Sequence, residues 1–247
     1  MSVVEIIFSP TGGTKKVANI IANSLDKNPV TIDLSNNKLD FSNCIIANDD
    51  TVLVAIPSFG GRAPEVAINR LKQIKGNGAR CTLICVYGNR AYEDTLVEIE
   101  DGAKAAGFKV VAAIAAVAEH SIINQYAAGR PDKEDEKQLI DFANKIKDKN
   151  NEVSKIPGNR PYKKSGAGLV PKPNKACIKC GLCAAKCPVA AINTTDFIAD
   201  PKLCISCMRC VKLCPNKARS VNSTMVAIAA LAIKKQCSVR KENEIFL

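Results

Sequence analysis

The sequence predicts an α/β protein in which a doubly wound, five-stranded parallel sheet is followed by a small α+β domain. Two observations predict this organisation. Short apolar strands alternate with helical segments over residues 1–150, as in parallel sheets with helical crossovers. Eight of the twelve cysteines then fall between positions 177 and 214. A chain of 247 residues has room for one large and one small domain.

The elements of the large domain can be taken in chain order. Apolar and β-branched runs predict strands at 3–8, 30–34, 51–56, 80–87 and 109–117. Amphipathic spacing predicts helices at 14–25, 64–74, 92–106 and 132–147. The interval 35–50 is short and polar, so we expect one crossover without a full helix.

Shifts in composition divide the chain into four segments. We expect a large domain at 1–150 and a linker at 151–175, where prolines, glycines and lysines predict a semi-extended, solvated chain. The cysteine-rich domain should cover 176–221. The remaining residues, 222–247, contain an apolar run that predicts a short helix, and we expect this helix to pack against the small domain or the sheet.

The excess of positive over negative charge lies entirely in the C-terminal part of the chain. Residues 151–247 hold 17 Lys and Arg against 5 Asp and Glu, whereas residues 1–150 hold 18 against 19. Such asymmetry favours nucleic acid or an acidic protein as partner. Aromatic residues are only 4% of the chain, so the side chains that stack on bases are scarce. We therefore expect no nucleic-acid partner.

The N-terminal segment and the longest apolar run together predict the cellular location. The N-terminus has neither a basic segment nor a long apolar one, and so lacks the marks of a secretion signal. The longest apolar run, 225–233, is far shorter than the roughly 18 residues of a membrane span. We expect a cytoplasmic protein without a membrane span.

One cysteine motif occurs twice, with the second copy 27 positions after the first. Each copy has spacings of two, two and three residues, and each ends in Cys-Pro, at Pro188 and Pro215. With this spacing the fourth cysteine of each copy ligates the other of two [4Fe-4S] clusters. We therefore predict cluster one at Cys177, Cys180, Cys183 and Cys214, and cluster two at Cys204, Cys207, Cys210 and Cys187.

Zinc is the alternative metal, because it too accepts four cysteines. Zinc sites normally use two cysteine pairs separated by a longer gap, so the doubled run favours iron–sulfur clusters. The remaining cysteines stand among apolar neighbours and are interpreted as small buried hydrophobes; they are Cys44, Cys81, Cys85 and Cys237.

Residues 174–220 resemble a bacterial two-cluster ferredoxin. The resemblance implies a compact, pseudo-symmetric fold with two low-potential clusters close enough to exchange electrons. Such ferredoxins are often acidic, whereas this region is basic. The basic side chains near the cysteines would raise the cluster potentials or guide an acidic partner; they are Lys179, Lys186, Lys202, Arg209 and Lys212.

Three loops after predicted strands point to a phosphate-bearing ligand. The segment 9–14 lies between a strand and a helix and is rich in glycine and hydroxyl groups, which suits phosphate at a helix N-terminus. It is neither a G-x-G-x-x-G fingerprint nor a Walker A loop. The segments 57–64 and 87–94 follow later strands. Because ligands bind at the carboxyl ends of parallel strands, we expect all three loops at one site.

This pattern resembles flavodoxin over residues 1–150, and the resemblance implies bound FMN. The residues implied at the phosphate are Ser9, Thr11, Gly12, Gly13 and Thr14. Those implied around the isoalloxazine ring are Pro57, Ser58, Phe59, Gly60, Gly61, Tyr87, Gly88, Asn89 and Tyr92. The chain has no Trp, so Phe59 or a tyrosine must stack on the ring, or one ring face stays open for direct transfer to a cluster.

The whole chain is similar to fusion proteins of anaerobes, in which a flavodoxin-like domain precedes a bacterial ferredoxin domain. The resemblance implies electron transfer between FMN and two [4Fe-4S] clusters, linking one- and two-electron carriers with a redox partner protein. The alternative is a flavin-dependent reductase acting on an organic substrate or metallocofactor. The mark of a reductase would be a pocket lined by Arg62, Arg90, His120 or Arg130, and His120 is the candidate proton donor.

Overall fold

The computed structural model describes residues 2–164, 166 and 168–247. The strands are β1 Val3–Ile7, β2 Val30–Asp33, β3 Thr51–Pro57, β4 Arg80–Tyr87, β5 Lys109–Val117, β6 Lys172–Pro173, β7 Arg219–Ser220 and β8 Glu244–Phe246. The helices are α1 Gly13–Leu25, α2 Glu65–Leu71, α3 Thr95–Ala105, α4 Lys133–Ile146, α5 Leu182–Ala185, α6 Arg209–Lys212 and α7 Ser223–Cys237. None of these helices is long and apolar enough to cross a membrane.

The main sheet has the order β2-β1-β3-β4-β5-β8. Its first five strands are parallel, and the order 2-1-3-4-5 is that of the flavodoxin-like doubly wound fold. The predicted α/β class and parallel sheet are therefore confirmed. The chain order reverses between β1 and β3, which is the switch point where ligands bind in such sheets.

The sheet has one strand more than predicted. The C-terminal residues Glu244–Phe246 pair antiparallel with Ala113–Ala115 of β5. Without this addition, β5 would present an edge of unpaired backbone N–H and C=O groups. The strand β8 thus covers an edge that the sequence analysis left open.

Two apolar layers hold the sheet between helices. On one face, α1 and α4 bury Val17, Ile21, Leu139 and Phe142 against the strands. On the other face, α2 and α3 contribute to a second apolar cluster. The central strands are buried on both faces, which explains their unbroken apolar runs. Between β2 and β3 there is only a 3₁₀ turn, Phe41–Asn43, as the short polar interval predicted.

The first part of the predicted linker is mostly exposed, but it packs against the large domain at several points. Ile156 joins the core, and the Val153 N–H donates to the Val110 carbonyl at 3.1 Å. Arg160 Nη2 pairs with Glu100 Oε2 at 2.7 Å. This segment therefore packs along the large domain, because α3 offers it carboxylates as well as an apolar surface.

The cysteine-rich region is small, and it contacts the large domain both through Ile205, which packs against the large-domain core, and through polar groups. Its apolar core comprises Cys187, Ala191, Ile192, Phe197 and Ala199. Among the described residues, three hydrogen bonds join the two regions. They run from Asn37 Nδ2 to the Cys187 carbonyl (2.9 Å), from Arg70 Nη2 to the Pro188 carbonyl (2.7 Å), and from Arg209 Nη1 to Ser35 Oγ (2.6 Å). These contacts set the cysteines beside the large domain.

The last helix packs beside the loop that follows β5. Its residues Val226, Ala229, Ala230 and Ile233 contact an apolar patch that includes Tyr126. The outward residues Met225, Ile228 and Leu231 remain exposed. The helix therefore covers the large domain with one face only, before the chain continues into β8.

Candidate functional site

A cavity of about 460 Å³ opens at the carboxyl ends of the parallel strands. Its volume falls within the range of small-molecule sites, roughly 300–1,000 Å³. Predicted residues that line the cavity are Thr11, Gly13, Thr14, Pro57, Ser58, Phe59, Gly60, Tyr87, Gly88 and His120. The three loops therefore meet at one cavity, where the sheet topology predicts a ligand.

The first loop leads directly into α1. Gly12 caps this helix with a φ of 98°, a left-handed conformation that glycine adopts without strain. Ser9 Oγ accepts from the Lys15 N–H at 2.9 Å, so Ser9 supports the loop and does not line the cavity. Thr14 is buried and lines it. Since the first N–H groups of a helix lack partners within the helix, the loop is suited to an anion.

The second loop is a tight turn. The Phe59 N–H donates to the Arg62 carbonyl at 2.8 Å, and the Arg62 N–H donates back at 3.3 Å. At Gly61, a Cβ would lie 1.7 Å from Glu93 Oε2, so only glycine fits there. Gly61 itself does not line the cavity, whereas Phe59 does. The turn thus presents an aromatic ring and backbone groups to the cavity.

Some residues of the third loop line the cavity, and others form hydrogen bonds to the C-terminal tail. Tyr87 and Gly88 line the cavity. Asn89 is buried and donates to the carbonyls of Cys237 and Val239 at 3.0 and 2.8 Å. Tyr92 Oη donates to Glu244 Oε2 at 3.0 Å. Asn89 and Tyr92, expected at the ring, therefore hold the tail instead.

His120 lies against the third loop, where a Cβ on Gly88 would come within 2.7 Å of its ring. Its Nδ1 accepts from the N–H groups of Ile122 and Ile123 at 3.2 and 3.1 Å. Burial lowers the pKa of His120, which favours the neutral ring. With Nδ1 accepting, the proton of that neutral ring is on Nε2. His120 is therefore a hydrogen-bond donor at the wall of the cavity.

The arginines that would mark a reductase pocket are already paired. Arg62 lines the cavity but forms a bidentate pair with Glu98, at 2.8 and 2.9 Å. Arg90 pairs with Glu93 at 3.0 Å. Arg130 is buried against Asp135, and neither Arg90 nor Arg130 lines the cavity. The site therefore offers little free positive charge to an anionic substrate.

The eight motif cysteines surround two further cavities. One is lined by Cys177, Cys180, Cys183 and Cys214, and the other by Cys187, Cys204, Cys207 and Cys210. These are the two crossed sets that the motif predicts. Within the described residues, no three His, Cys, Asp or Glu side chains are gathered closely enough for a single metal ion. The thiols therefore line two cavities and do not converge on the position of a single metal ion.

The cysteines at the second of these cavities are buried or partly buried. Burial raises the pKa of Cys207 to about 12, and burial also raises the pKa of Cys210. The Arg219 guanidinium acts in the opposite direction on Cys210 through its charge and a hydrogen bond. Because metal binds the thiolate, ligation here must release protons. Outside the motif, Cys81, Cys85 and Cys237 are buried, while Cys44 is partly exposed.

A segment of the cysteine region forms part of the cavity between the three loops. Cys204, Ile205 and Ser206 line it, opposite the loops of the large domain. Ser206 Oγ is shielded from solvent and has no hydrogen-bond partner. A buried polar atom without a partner is costly, so a polar ligand in the cavity would satisfy it. No sequence motif points to Ser206, because its position at the cavity depends on how the two regions pack.

Two comparisons with known proteins gave matches, one to a protein family and one to solved structures. Residues 197–220 match the model of the 4Fe-4S binding domain family. A search of curated proteins gave no match. Among solved structures, the chain is similar to a flavodoxin of Streptococcus pneumoniae TIGR4 at 19% identity, covering 59% of this chain and 97% of that one, with a TM-score of 0.44.

Two further flavodoxins give similar values. Two-electron reduced flavodoxin of Megasphaera elsdenii is 17% identical, over 58% of this chain and 98% of that one, with a TM-score of 0.41. Oxidised flavodoxin of Bacillus cereus is 15% identical, over 59% of this chain and 97% of that one, with a TM-score of 0.42. The strand order, and not these likenesses, establishes the fold of the large domain.

The sheet topology and the 4Fe-4S binding domain together fit a flavodoxin–ferredoxin fusion, as the sequence predicted. This combination supports a general role in electron transfer. The family match also supports a 4Fe-4S cluster as a cofactor type.

Proposed function

We propose that this protein transfers electrons between an FMN and two [4Fe-4S] clusters, and so links one- and two-electron carriers. One observation carries the proposal: Cys204, a predicted cluster-two ligand, lines the same cavity as the three flavin loops. In this proposal residues 1–150 bind the flavin, 151–175 connect the domains, 176–221 bind the clusters, and 222–247 cover the large domain.

The residues of the flavin cavity have separate tasks. The phosphate lies at Thr11, Gly13 and Thr14, at the start of α1. Phe59 and Tyr87 flank the ring, and Ser206 donates from the cluster side. When bound, FMN takes up one or two electrons, whereas each cluster takes up one at a time. The neutral His120 would donate a hydrogen bond to the flavin through Nε2.

The order of the clusters follows from the same geometry. Cluster two is the one next to the flavin, because its ligand Cys204 contributes to the flavin cavity. Cluster one lies at Cys180, which is exposed, beside Ile178, which is 63% exposed. With the cofactors bound, Cys204 would place cluster two between the flavin and cluster one, and the exposed Cys180 and Ile178 would make cluster one the contact to other proteins.

We propose an acidic redox protein as the partner at cluster one. Lys179, Lys186 and Lys212 are exposed in this region and would attract it. Arg209, which the sequence analysis grouped with them, donates to Ser35 and belongs to the contact between the two regions. A reducing compartment such as the cytoplasm suits this protein, because it keeps the cysteines available for iron.

The reductase alternative gains no support from the cavity. A reductase for an anionic substrate needs a free cation beside the ring, and Arg62 is committed to Glu98. His120 remains the only predicted reductase residue in the cavity without an ion pair, and its proposed role as a donor to the flavin does not require an organic substrate.

Cofactor content tests the proposal. The protein is purified anaerobically and assayed for iron, sulfide and flavin on one sample. The proposal predicts about eight irons, eight sulfides and one FMN per chain. Full iron without flavin, even after incubation with FMN, would contradict it. As a matched pair, Cys187→Ser should alter the spectrum of cluster two and Cys214→Ser that of cluster one; the opposite result would overturn the crossed ligand sets.

A further inference from the structure

Among the described residues, the hydrogen bonds between the large domain and the cysteine region reach segments that carry predicted ligands of cluster two. On the cysteine side these bonds involve Cys187, Pro188 and Arg209. Cys187 is itself a predicted ligand, and Arg209 stands between the predicted ligands Cys207 and Cys210. No predicted ligand of cluster one takes part in these bonds. The bonds that join the two regions therefore lie around cluster two.

The segment Cys204–Ser206, which we call the cluster-two loop, forms one wall of the flavin cavity. Its middle residue, Ile205, packs against the apolar core of the large domain. The Ser206 hydroxyl is shielded from solvent and has no hydrogen-bond partner. Gly168 packs so closely behind it that a Cβ there would lie 2.1 Å from Ser206 Oγ. The loop is therefore closely packed, and it carries one unpaired hydroxyl at the cavity wall.

The internal repeat shows that this packing is particular to the second copy. Ile178 and Lys179 stand 27 positions before Ile205 and Ser206. Lys179 and Ser206 share a left-handed backbone, with φ of 56° and 53°. Ile178 and Lys179 are nevertheless exposed, whereas Ile205 and Ser206 are partly buried. The same loop conformation is thus free at cluster one and docked on the flavin cavity at cluster two.

The conformation of the cluster-two loop depends on what holds its ends. The left-handed conformation is unfavourable for a residue other than glycine, as Ser206 is, so the surroundings must maintain it. Cys204 and Cys207 stand on either side of Ile205 and Ser206, and both are predicted ligands of cluster two. The small apolar core of this region has only five buried residues. Metal–thiolate bonds at both ends would therefore supply most of the constraint on the loop.

We propose that the cluster-two loop, with the Ser206 hydroxyl as its donor, completes the flavin site only when cluster two holds it, so that FMN and cluster two bind cooperatively. The inference rests on the proposed function, since it requires both cofactors. Without cluster two the loop loses its fixed position, and FMN meets only the three loops of the large domain. Because such coupling is reciprocal, FMN also stabilises cluster two. A chain that lacks its route for electrons therefore holds little flavin.

The test compares the affinity for FMN in two ligand variants of the complete chain. Cys207→Ala and Cys180→Ala change equivalent positions of the two copies, and neither residue lines the flavin cavity. Each variant is purified anaerobically and freed of flavin, and iron assay with electron paramagnetic resonance shows which cluster remains. FMN is then titrated by fluorescence quenching. The Kd should rise at least about tenfold in Cys207→Ala and less than about threefold in Cys180→Ala.

A second pair of variants tests the loop with both clusters in place. Ser206→Ala removes the unpaired hydroxyl but no cluster ligand, so it should raise the Kd for FMN about threefold to tenfold at full iron content. Ser220→Ala is the matched control, because this serine is exposed and does not line the flavin cavity. The Kd of the control should equal that of the unaltered protein.

Three results would overturn the inference. The first is a Kd within threefold of the unaltered value in Cys207→Ala after loss of cluster two. The second is a tenfold rise in Cys180→Ala while cluster two remains. The third is an equal Kd in Ser206→Ala and Ser220→Ala. If Cys180→Ala loses both clusters, Cys180→Ser, which keeps an oxygen ligand, takes its place. Absence of FMN or of clusters from the unaltered protein would instead refute the proposed function.

Discussion

The two cofactor regions differ in what holds them together. The large domain buries apolar side chains on both faces of a six-stranded sheet. The cysteine region has a small apolar core of five buried residues, and one of these is itself a predicted ligand, Cys187. Hydrophobic burial therefore contributes more to the first region, and under the proposed function the second would depend on bonds between its thiols and the metal clusters.

Removal of iron should produce the largest difference in stability between the two regions. Structural metal sites supply on the order of 10 kcal/mol to the domains that they hold. After anaerobic chelation, residues 176–221 should lose their protection from amide hydrogen exchange, while β3, β4 and β5 keep theirs. Peptide-resolved exchange measured by mass spectrometry checks this. Equal loss of protection in both regions would show that the large domain also depends on the clusters.

Truncation of a core side chain in the large domain should produce the opposite result, in which the large domain is destabilised and the cysteine region is not. Leu53 is fully buried in β3, so Leu53→Ala should lower the free energy of unfolding of the large domain by about 3 kcal/mol. Urea unfolding followed by circular dichroism measures the change. Leu203→Ala, at an exposed position, should change it by less than about 0.5 kcal/mol. Loss of iron in Leu53→Ala before the large domain unfolds would contradict the separation of the two regions.

A substitution that weakens the attachment of the C-terminal tail should have a smaller effect. Asn89→Ala removes the side chain that bonds Cys237, Val239 and Lys241, and should cost about 1–3 kcal/mol. Faster hydrogen exchange in β8, with unchanged exchange in 176–221, is the expected result. Asn37→Ala, which removes a contact to the Cys187 carbonyl, is the matched control. Protection of β8 that survives Asn89→Ala would show that strand pairing alone holds the tail.

The pH dependence of His120 should be the smallest effect. Burial lowers its pKa in the folded protein, so below about pH 6.5 the unfolded chain binds a proton that the folded chain does not. Stability should therefore fall as the pH decreases through this range, by at most about 1.4 kcal/mol per unit. His120→Gln should flatten this dependence. Proton NMR of this histidine, the only one in the chain, gives the pKa directly, and a value above 6.5 would contradict the prediction.

The sequence predicted those features that depend on local pattern. The bounds of β4 and β5 were predicted to the residue, because strands buried on both faces form unbroken apolar runs. The three loops that meet at the cavity follow from parallel strands and their common edge. The cysteine sets follow from spacing, and they remain a prediction until iron is assigned to them.

Other features depend on contacts between distant residues. The strand β8 has only three residues, too few for a periodic pattern. Asn89 and Tyr92 belong to a flavin-like loop in sequence, yet their partners lie about 150 positions away in the tail. Ser206 reaches the flavin cavity only because the two regions pack together. No local pattern contains this information.

The central claim is that electrons pass directly between the flavin and cluster two across the wall formed by Cys204–Ser206. The most direct test is anaerobic photoreduction of the flavin in the complete protein, with flavin and cluster absorbance followed in time. We predict that the flavin is reoxidised as the clusters bleach, at a rate that stays the same when the protein is diluted tenfold. A rate that falls in proportion to concentration, or no bleaching, would contradict the claim.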